Sequence, residues 1–322
     1  MLKKFKDDFA NRYLPQLLAE FIMLFSYDTI QKIGYYGGKL GFKLAKKTRQ
    51  RAVTQIKFHL KLNDADANRL ACENMIRLAQ GVCEFCWTRR ALREGIENFI
   101  CLDNEERLRE IYSRGKGILL FTAHMGNWEW MAALVHSKGY KIGAVGKSLT
   151  RPGLTQLIMT LRAEFGMKVY ARESNADLRT AVRDVSKDSY MLALLMDQDE
   201  GKHGFPVRFF NYVTSAPKGV AMFAKLTGAP ILPVFAVKEN GRYIIKIMNE
   251  LEYDRAELDE LAQWKMTQNV TSTIEAAIRQ HPADWSWIQN RWKSKYDEET
   301  LSPISPHQPP TANSQQPNTD KP

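Results

Sequence analysis

From about residue 115 onward, short apolar runs alternate with amphipathic stretches. The runs lie at 117–123, 142–145, 168–171, 190–196, 231–237 and 243–248. Continuous apolar segments of this length, bounded by glycine, proline or polar clusters, predict strands buried on both faces. Apolar positions at helical spacing between them predict helices near 128–136, 154–165, 178–184 and 218–227, and a longer one over 257–280. Thr227-Gly228-Ala229-Pro230 stops a helix ahead of the next strand. Strands alternating with helices indicate an α/β fold, a mixed sheet flanked by helices. Residues 1–100 read differently, as mostly helical. There Asn63-Asp64 caps a helix whose apolar positions include Leu70, Ile76, Leu78, Val82 and Phe85. From Ser302 the composition turns to Pro, Gln, Ser and Asn with almost no apolar residue, which predicts a disordered tail. The expected organisation is an amphipathic helical region over 1–60, an α/β domain with its helical lead-in over 61–300, and the tail over 301–322.

The stretch GILLFTAHMGNWEW, residues 117–130, carries the clearest chemistry. An apolar strand ends at His124, in a Gly/Asn turn, and Glu129 follows five residues later. Residues five apart on one helix differ by about 140° and do not face each other. His124 therefore belongs to the turn. Asn127 suits an N-cap, which puts Glu129 in the first helical turn, where the dipole favours an anion. From there Glu129 is expected to reach back to the imidazole. A His backed by a carboxylate takes a proton from an alcohol, and no Ser or Cys in the motif offers a protein nucleophile. The competing reading is a His that only satisfies backbone groups at a strand end.

Charge and composition narrow the partners. The 322 residues carry a net charge of +10, with 44% hydrophobic and 25% charged residues, ordinary for a globular protein apart from the basic excess. That excess favours an anionic partner. No nucleic-acid module is recognisable, so nucleic acid is not expected. The four cysteines, Cys72, Cys83, Cys86 and Cys101, include one CxxC but no second pair at zinc spacing, and read as buried thiols of a reducing compartment. No metal site is expected. No secretory signal is visible, and Glu20, Asp28 and Lys32 interrupt the best candidate span, 14–33. Leu14, Leu17, Leu18, Phe21, Ile22, Leu24 and Phe25, set among Lys3, Lys4, Lys6 and Arg12 and followed by Lys39, Lys43, Lys46, Lys47, Arg49 and Arg51, instead suit an interfacial helix on an anionic bilayer. An amphipathic helix packed on the core fits the same pattern.

Three further constellations lie downstream of the His motif. Lys147, Arg151, Arg162, Lys168 and Arg172 form a basic series, with Arg162 on a helix and Arg172 at a strand end. They suit a phosphate cradle or a solvated helix face. Asp197-Gln198-Asp199 closes an apolar strand, a common position for α/β sites, and fits a loop-organising carboxylate pairing with an Arg better than a metal. HPADWSWIQNRWKSK places Trp285, Trp287 and Trp292 beside Arg291, Lys293 and Lys295, which suits either a membrane interface or a segment capping the core.

Taken in order, these stretches resemble the late acyltransferases of lipid A biosynthesis, the lauroyl/myristoyl family of Gram-negative bacteria, over the chain to about residue 296. GILLFTAHMGNWEW is similar to that family's His-x-x-x-x-Asp/Glu block, and LIMTLRAEFG with Arg172 to its Arg-containing second block. LLMDQDEG with FFNYVTSAPKGVAMFAKLTGAPILPVF resembles its Asp-Gln segment and the helix and strand after it, and HPADWSWIQNRWK its closing Trp/Arg motif. The first block alone is shared with glycerolipid acyltransferases. The resemblance implies a glycerolipid-acyltransferase-like fold and transfer of a fatty acyl chain from acyl carrier protein, with no cofactor, to a hydroxyl of a lipid A precursor at the cytoplasmic face of the inner membrane. It makes His124 the general base and Glu129 its partner. Gly126, Asn127, Arg162, Arg172, Asp197, Gln198, Lys147 and Arg151 would line the substrate site, with N–H groups near Gly126 and Asn127, or Arg162, as oxyanion donors. Relatives usually carry Arg-Pro and then Asn-Pro ahead of the second-block helix. Here Lys147-Ser148 and Arg151-Pro152 take those places, and Thr155 stands where an acidic residue is common. A glycerolipid or lysophospholipid acyltransferase uses the same chemistry and is the alternative. A non-catalytic protein that binds anionic lipid is another.

Overall fold

The structure, a computed structural model, describes residues 13–146, 152–294, 296 and 301. Lys3, Lys4, Lys6, Arg12, Lys147, Arg151, Lys295 and the tail from Ser302 lie outside the described residues. The N-terminal part is helical, as α1 (Leu14–Ile22), α2 (Tyr27–Leu44), α3 (Lys46–Leu60), α4 (Asp64–Cys86) and α5 (Thr88–Glu94). Asn63 caps α4 by accepting from the Asp66 N–H, as its position predicts. Helices α2 and α4 touch backbone to backbone. A Cβ on Gly38 would lie 2.4 Å from Ile76 Cα, and one on Gly34 2.6 Å from Gln80 Cα, so only glycine allows this approach.

The alternating part begins with β1 (Ile100–Asp103) and α6 (Glu105–Ser113). It continues with β2 (Ile118–Thr122), α7 (Trp128–Ser137), β3 (Ile142–Gly146), α8 (Pro152–Glu164), β4 (Lys168–Ala171), α9 (Asn175–Asp188) and β5 (Met191–Leu195). Next come a hairpin, β6 (Phe205–Phe209) and β7 (Tyr212–Ala216), then α10 (Gly219–Thr227), β8 (Ile231–Glu239), β9 (Arg242–Ile247) and α11 (Glu260–Gln280). All six expected strands and all five expected helices are present, within a few residues of their predicted bounds. The strand β1, the helix α6 and the hairpin are additions.

Seven strands make one sheet in the order β1-β9-β8-β2-β5-β3-β4. Only β8 and β9 pair antiparallel, so the sheet is mixed and mostly parallel. Strand β2 is central and wholly buried, and its period of two feeds two cores. Leu119 and Phe121 join Leu192, Leu194, Phe235 and the aromatic closing segment on one face. Ile118 and Leu120 join Met191, Leu232 and Trp130 on the other. Because β2, β5, β3 and β4 run parallel, the residues after them, His124, Asp197 and Arg172 among them, emerge on one edge of the sheet. Strands β2 and β5 are neighbours, which brings His124 and Asp197 together across 73 positions of sequence.

Candidate active site

His124 leaves the end of β2 and is gripped at three points. Its N–H donates to Asp197 Oδ2 at 3.1 Å, its carbonyl accepts from the Ser286 N–H at 2.9 Å, and its Nδ1 lies 2.8 Å from Asp197 Oδ1. The carboxylate on the imidazole is therefore Asp197, in the place expected for Glu129. Asp197 is buried, and Oδ2 also takes Trp285 Nε1 at 2.7 Å and Gln289 Nε2 at 2.9 Å. Burial opposes its charge, but His124 and the donors from Gln289 and Trp285 outweigh burial and hold the carboxyl well below the usual carboxylate range. An ionised Asp197 can only accept, so Nδ1 of His124 carries the proton and Nε2 keeps its lone pair. Nε2 has no hydrogen-bond partner among the described residues, and 21% of the side chain is exposed. Burial also opposes the imidazolium, but the charge and hydrogen bond of Asp197, with the charge of Glu129, carry the His124 pKa above its ordinary value.

Glu129 sits in the first turn of α7, as its spacing from Asn127 requires, but it faces Arg162 of α8. Arg162 Nε reaches Glu129 Oε2 at 3.0 Å and Nη2 reaches Oε1 at 2.5 Å, a two-point fork. Trp128 Nε1 adds a donor to Oε1 at 3.2 Å. Burial lowers the Arg162 pKa, and the Glu129 carboxylate more than restores it. The third nitrogen, Nη1, has no hydrogen-bond partner among the described residues and points toward Gly146, at the end of β3.

One of the expected oxyanion donors in the turn, the Gly126 N–H, is already engaged. Gly126 N–H donates to the Asp284 carbonyl at 2.9 Å. Its φ is +56°, and a Cβ there would meet Ala236 O at 2.1 Å, so glycine is needed for the shape of the turn. Asn127 is buried; its Oδ1 caps the Trp130 N–H at 3.0 Å and its Nδ2 donates to Glu84 Oε2 at 3.0 Å. The Gly126 N–H and the Asn127 side chain are thus taken up within the protein.

A family model described as bacterial lipid A biosynthesis acyltransferase matches residues 10–294. The chain belongs to this family. Among its relatives, Lipid A biosynthesis acyltransferase 2 of Shigella flexneri is 20% identical over 92% of this chain and 98% of its own. The Lipid A biosynthesis myristoyltransferase of Escherichia coli (strain K12) is 20% identical over 83% of this chain and 80% of its own. The Phosphatidylinositol mannoside acyltransferase of Mycolicibacterium smegmatis is 24% identical over 58% of this chain, and the match spans 60% of that relative's length. Membership in the lipid A acyltransferase family supports acyl transfer in lipid biosynthesis.

The remaining sequence-predicted residues of this family member fall into three groups. Gln198 is exposed, and the glutamine that reaches Asp197 is Gln289. Arg172 pairs with Glu200 and Lys168 with Asp184. Lys147 and Arg151 lie outside the described residues. Asp199 is a loop organiser, accepting from Gly201 N, Ser294 N and Ser294 Oγ at 2.6–2.8 Å, with Arg291 buried nearby. The tryptophan-rich close is no membrane interface. Trp285, Trp287 and Trp292 are buried, and the segment is strapped over the core by Gln55 of α3 and Asn74 of α4. It bridges to Met125 and supplies two donors to Asp197. The cysteines are free and half-buried rather than fully buried, and burial pushes the Cys83 and Cys86 thiols up to about 11. The residues that sequence reasoning missed, Gln289 and Glu84, carry no local signal, since their partners are remote in sequence.

Proposed function

We propose that this protein transfers a fatty acyl chain from the thioester of an acyl carrier protein to a hydroxyl of a lipid A precursor. The single observation that carries the chemistry is the His124–Asp197 pair, which fixes a proton on Nδ1 and leaves Nε2 as a base. Nε2 takes the proton of the acceptor hydroxyl as its oxygen attacks the thioester carbonyl. The C–O bond forms, the C–S bond breaks, and the departing thiolate recovers the proton from the imidazolium. Asp197 stabilises that imidazolium. Arg162, held by Glu129, offers Nη1 to the developing oxyanion. A thiolate is a good leaving group, so no covalent acyl-enzyme and no cofactor are needed.

Family membership supports lipid A as the acceptor. The net charge of +10 supports docking of an acidic carrier and of lipid phosphates. Attachment at the cytoplasmic face of the inner membrane is supported by the outward side of the first two helices. Leu17, Leu18 and Phe21 on α1, and Tyr36, Leu40 and Leu44 on α2, are exposed beside exposed Lys32, Lys39 and Lys43. No helix among the described residues is long and apolar enough to cross a membrane. The mycobacterial relatives favour a second reading, in which the acceptor hydroxyl belongs to a glycosylated phospholipid.

The test is mass spectrometry of acceptors incubated with purified protein and acyl-loaded carrier protein. A lipid A precursor should gain the mass of one acyl chain, and His124→Ala should slow the gain at least about a hundredfold. Acylation of phosphatidylinositol mannoside or lysophosphatidic acid in its place would move the assignment to that acceptor, and wild-type rates in His124→Ala would remove His124 from the chemistry.

A further inference from the structure

A second carboxylate lies beneath the site, and the chemistry above does not use it. Glu84, near the end of α4, is fully buried. One of its oxygens accepts from Tyr27 Oη at 3.1 Å and Gln31 Nε2 at 2.7 Å, both on α2, and the other from Asn127 Nδ2 at 3.0 Å. Lys238 Nζ of β8 stands 3.5 Å away. A buried acid requires such company. The two amides have no freedom to turn. Asn127 Oδ1 is held by the Trp130 N–H, so Nδ2 must face Glu84. Gln31 Oε1 takes Lys238 Nζ at 2.9 Å, so its Nε2 must do the same. The Glu84 carbonyl accepts from Trp130 Nε1 at 3.1 Å, a second grip, on the first turn of α7. Asn127 stands three residues after His124 and two before Glu129.

We propose that Glu84 is a positioning residue: through Asn127 it fixes the turn between His124 and α7, and so holds the base in register with the Glu129–Arg162 pair. The inference rests on the acyl-transfer reading. It assigns a catalytic consequence to a residue of the helical lead-in, 40 positions before the base. Angular placement of reacting groups is steep in rate, and displacement by about 1 Å costs on the order of a hundredfold.

The cluster offers a test that a purely structural role does not pass. Glu84→Gln replaces an acceptor-only group with an amide whose NH2 meets a donor. Asn127→Asp sets carboxylate against carboxylate across the same 3.0 Å contact. In the double variant the two groups have exchanged places. The amide now on α4 donates to the carboxylate now in the turn, and that carboxylate still accepts the Trp130 N–H. The pair is thus rebuilt with the same net charge. The full-length variants are assayed with acyl carrier thioester and lipid acceptor, after thermal unfolding shows each folded at the assay temperature. Each folded single variant should lose about ten- to a hundredfold in kcat with the KM for the donor within about twofold, and the double variant should recover most of the loss. Should Glu84→Gln fail to fold, Asn127→Ser, which keeps a capping hydroxyl but cannot reach Glu84, carries the same expected loss. A folded single variant, Asn127→Ser included, with wild-type kcat, or a double variant no faster than the slower single, overturns the positioning role. A wild-type protein that transfers no acyl chain overturns the acyl-transfer reading, and this inference with it.

Discussion

Asp197 determines which nitrogen of His124 is free, and the geometry shows how to reverse that choice. Its Oδ2 takes three donors, the His124 N–H, Trp285 Nε1 and Gln289 Nε2, while Oδ1 faces only Nδ1. An amide at this position must give its oxygen to the three donors. Its NH2 then points at Nδ1 and forces the proton onto Nε2, where it blocks the base. Asp197→Asn should therefore fold normally and lose about a thousandfold or more in kcat, the scale seen when a base is locked in the wrong tautomer. Steady-state kinetics on the folded variant measures this, and a loss under tenfold would show that Asp197 does not set the tautomer. The same pair shapes the pH profile. Base catalysis needs neutral His124, and its pKa lies above the ordinary 6.5, so kcat/KM of the wild type should rise with pH on the alkaline side of that value.

The turn between β2 and α7 works as an element because others clamp it from outside: Asp284, Trp285 and Ser286 from the closing segment, Ala236 from β8, Glu84 from α4. Gly126→Ala tests the clamp. Positive φ and a Cβ on Ala236 O require the backbone to move, at a cost of about 2 kcal/mol or more. The variant should unfold at lower temperature and lose acyl transfer at least about a hundredfold. Full activity would mean that the turn tolerates displacement. This arrangement also explains what sequence could and could not show. The strands and crossover helices are legible because each carries its own apolar period, and Asn127 is legible as a cap because capping is local. Sequence puts Glu129 in the right turn but gives it the wrong partner, because the competitor for His124 arrives on β5 and the competitor for Glu129 on α8. The hairpin β6–β7 escapes notice for a local reason. Its two-residue turn is Phe210-Asn211, both at positive φ, where glycine would ordinarily mark the site. Phe210 is held there by its N–H on Glu275 Oε2 at 2.6 Å and by rings of Phe209, Trp287 and Trp292.

Across the whole molecule, a buried histidine responds to acid and an exposed apolar face to a lipid surface. His59 of α3 is buried and stacked on Trp292 with ring centres 3.6 Å apart, and burial, reinforced by Arg279 and Arg291, pushes its pKa down to about 3. The unfolded chain, with His near 6.5, binds this proton and the folded chain does not. Its contribution is thus complete above pH 6.5 and lost as pH falls toward 3. His59→Phe should flatten that acid limb in urea titrations run between pH 7 and 4, and an unchanged slope would place the acid sensitivity elsewhere. On the proposed membrane attachment, the outer face of α1 contributes to association and little to folding. Leu17, Leu18 and Phe21 are each more than half exposed, while Ala19 is buried and Glu20 is tied to Arg89. Replacing the three exposed residues by serine should leave the unfolding temperature within about 2 °C. Burying each side chain in a bilayer would contribute roughly 1 kcal/mol, so vesicle binding should fall by at least about tenfold. Co-flotation with vesicles rich in anionic lipid reads this directly. Exposed Lys32, Lys39, Lys43, Lys46 and Lys47 add an electrostatic part that raised salt should weaken in wild type and triple variant alike. Binding that survives the triple substitution unchanged, yet falls with salt, would assign attachment to the lysines alone and leave the apolar face of α1 without a role at the membrane.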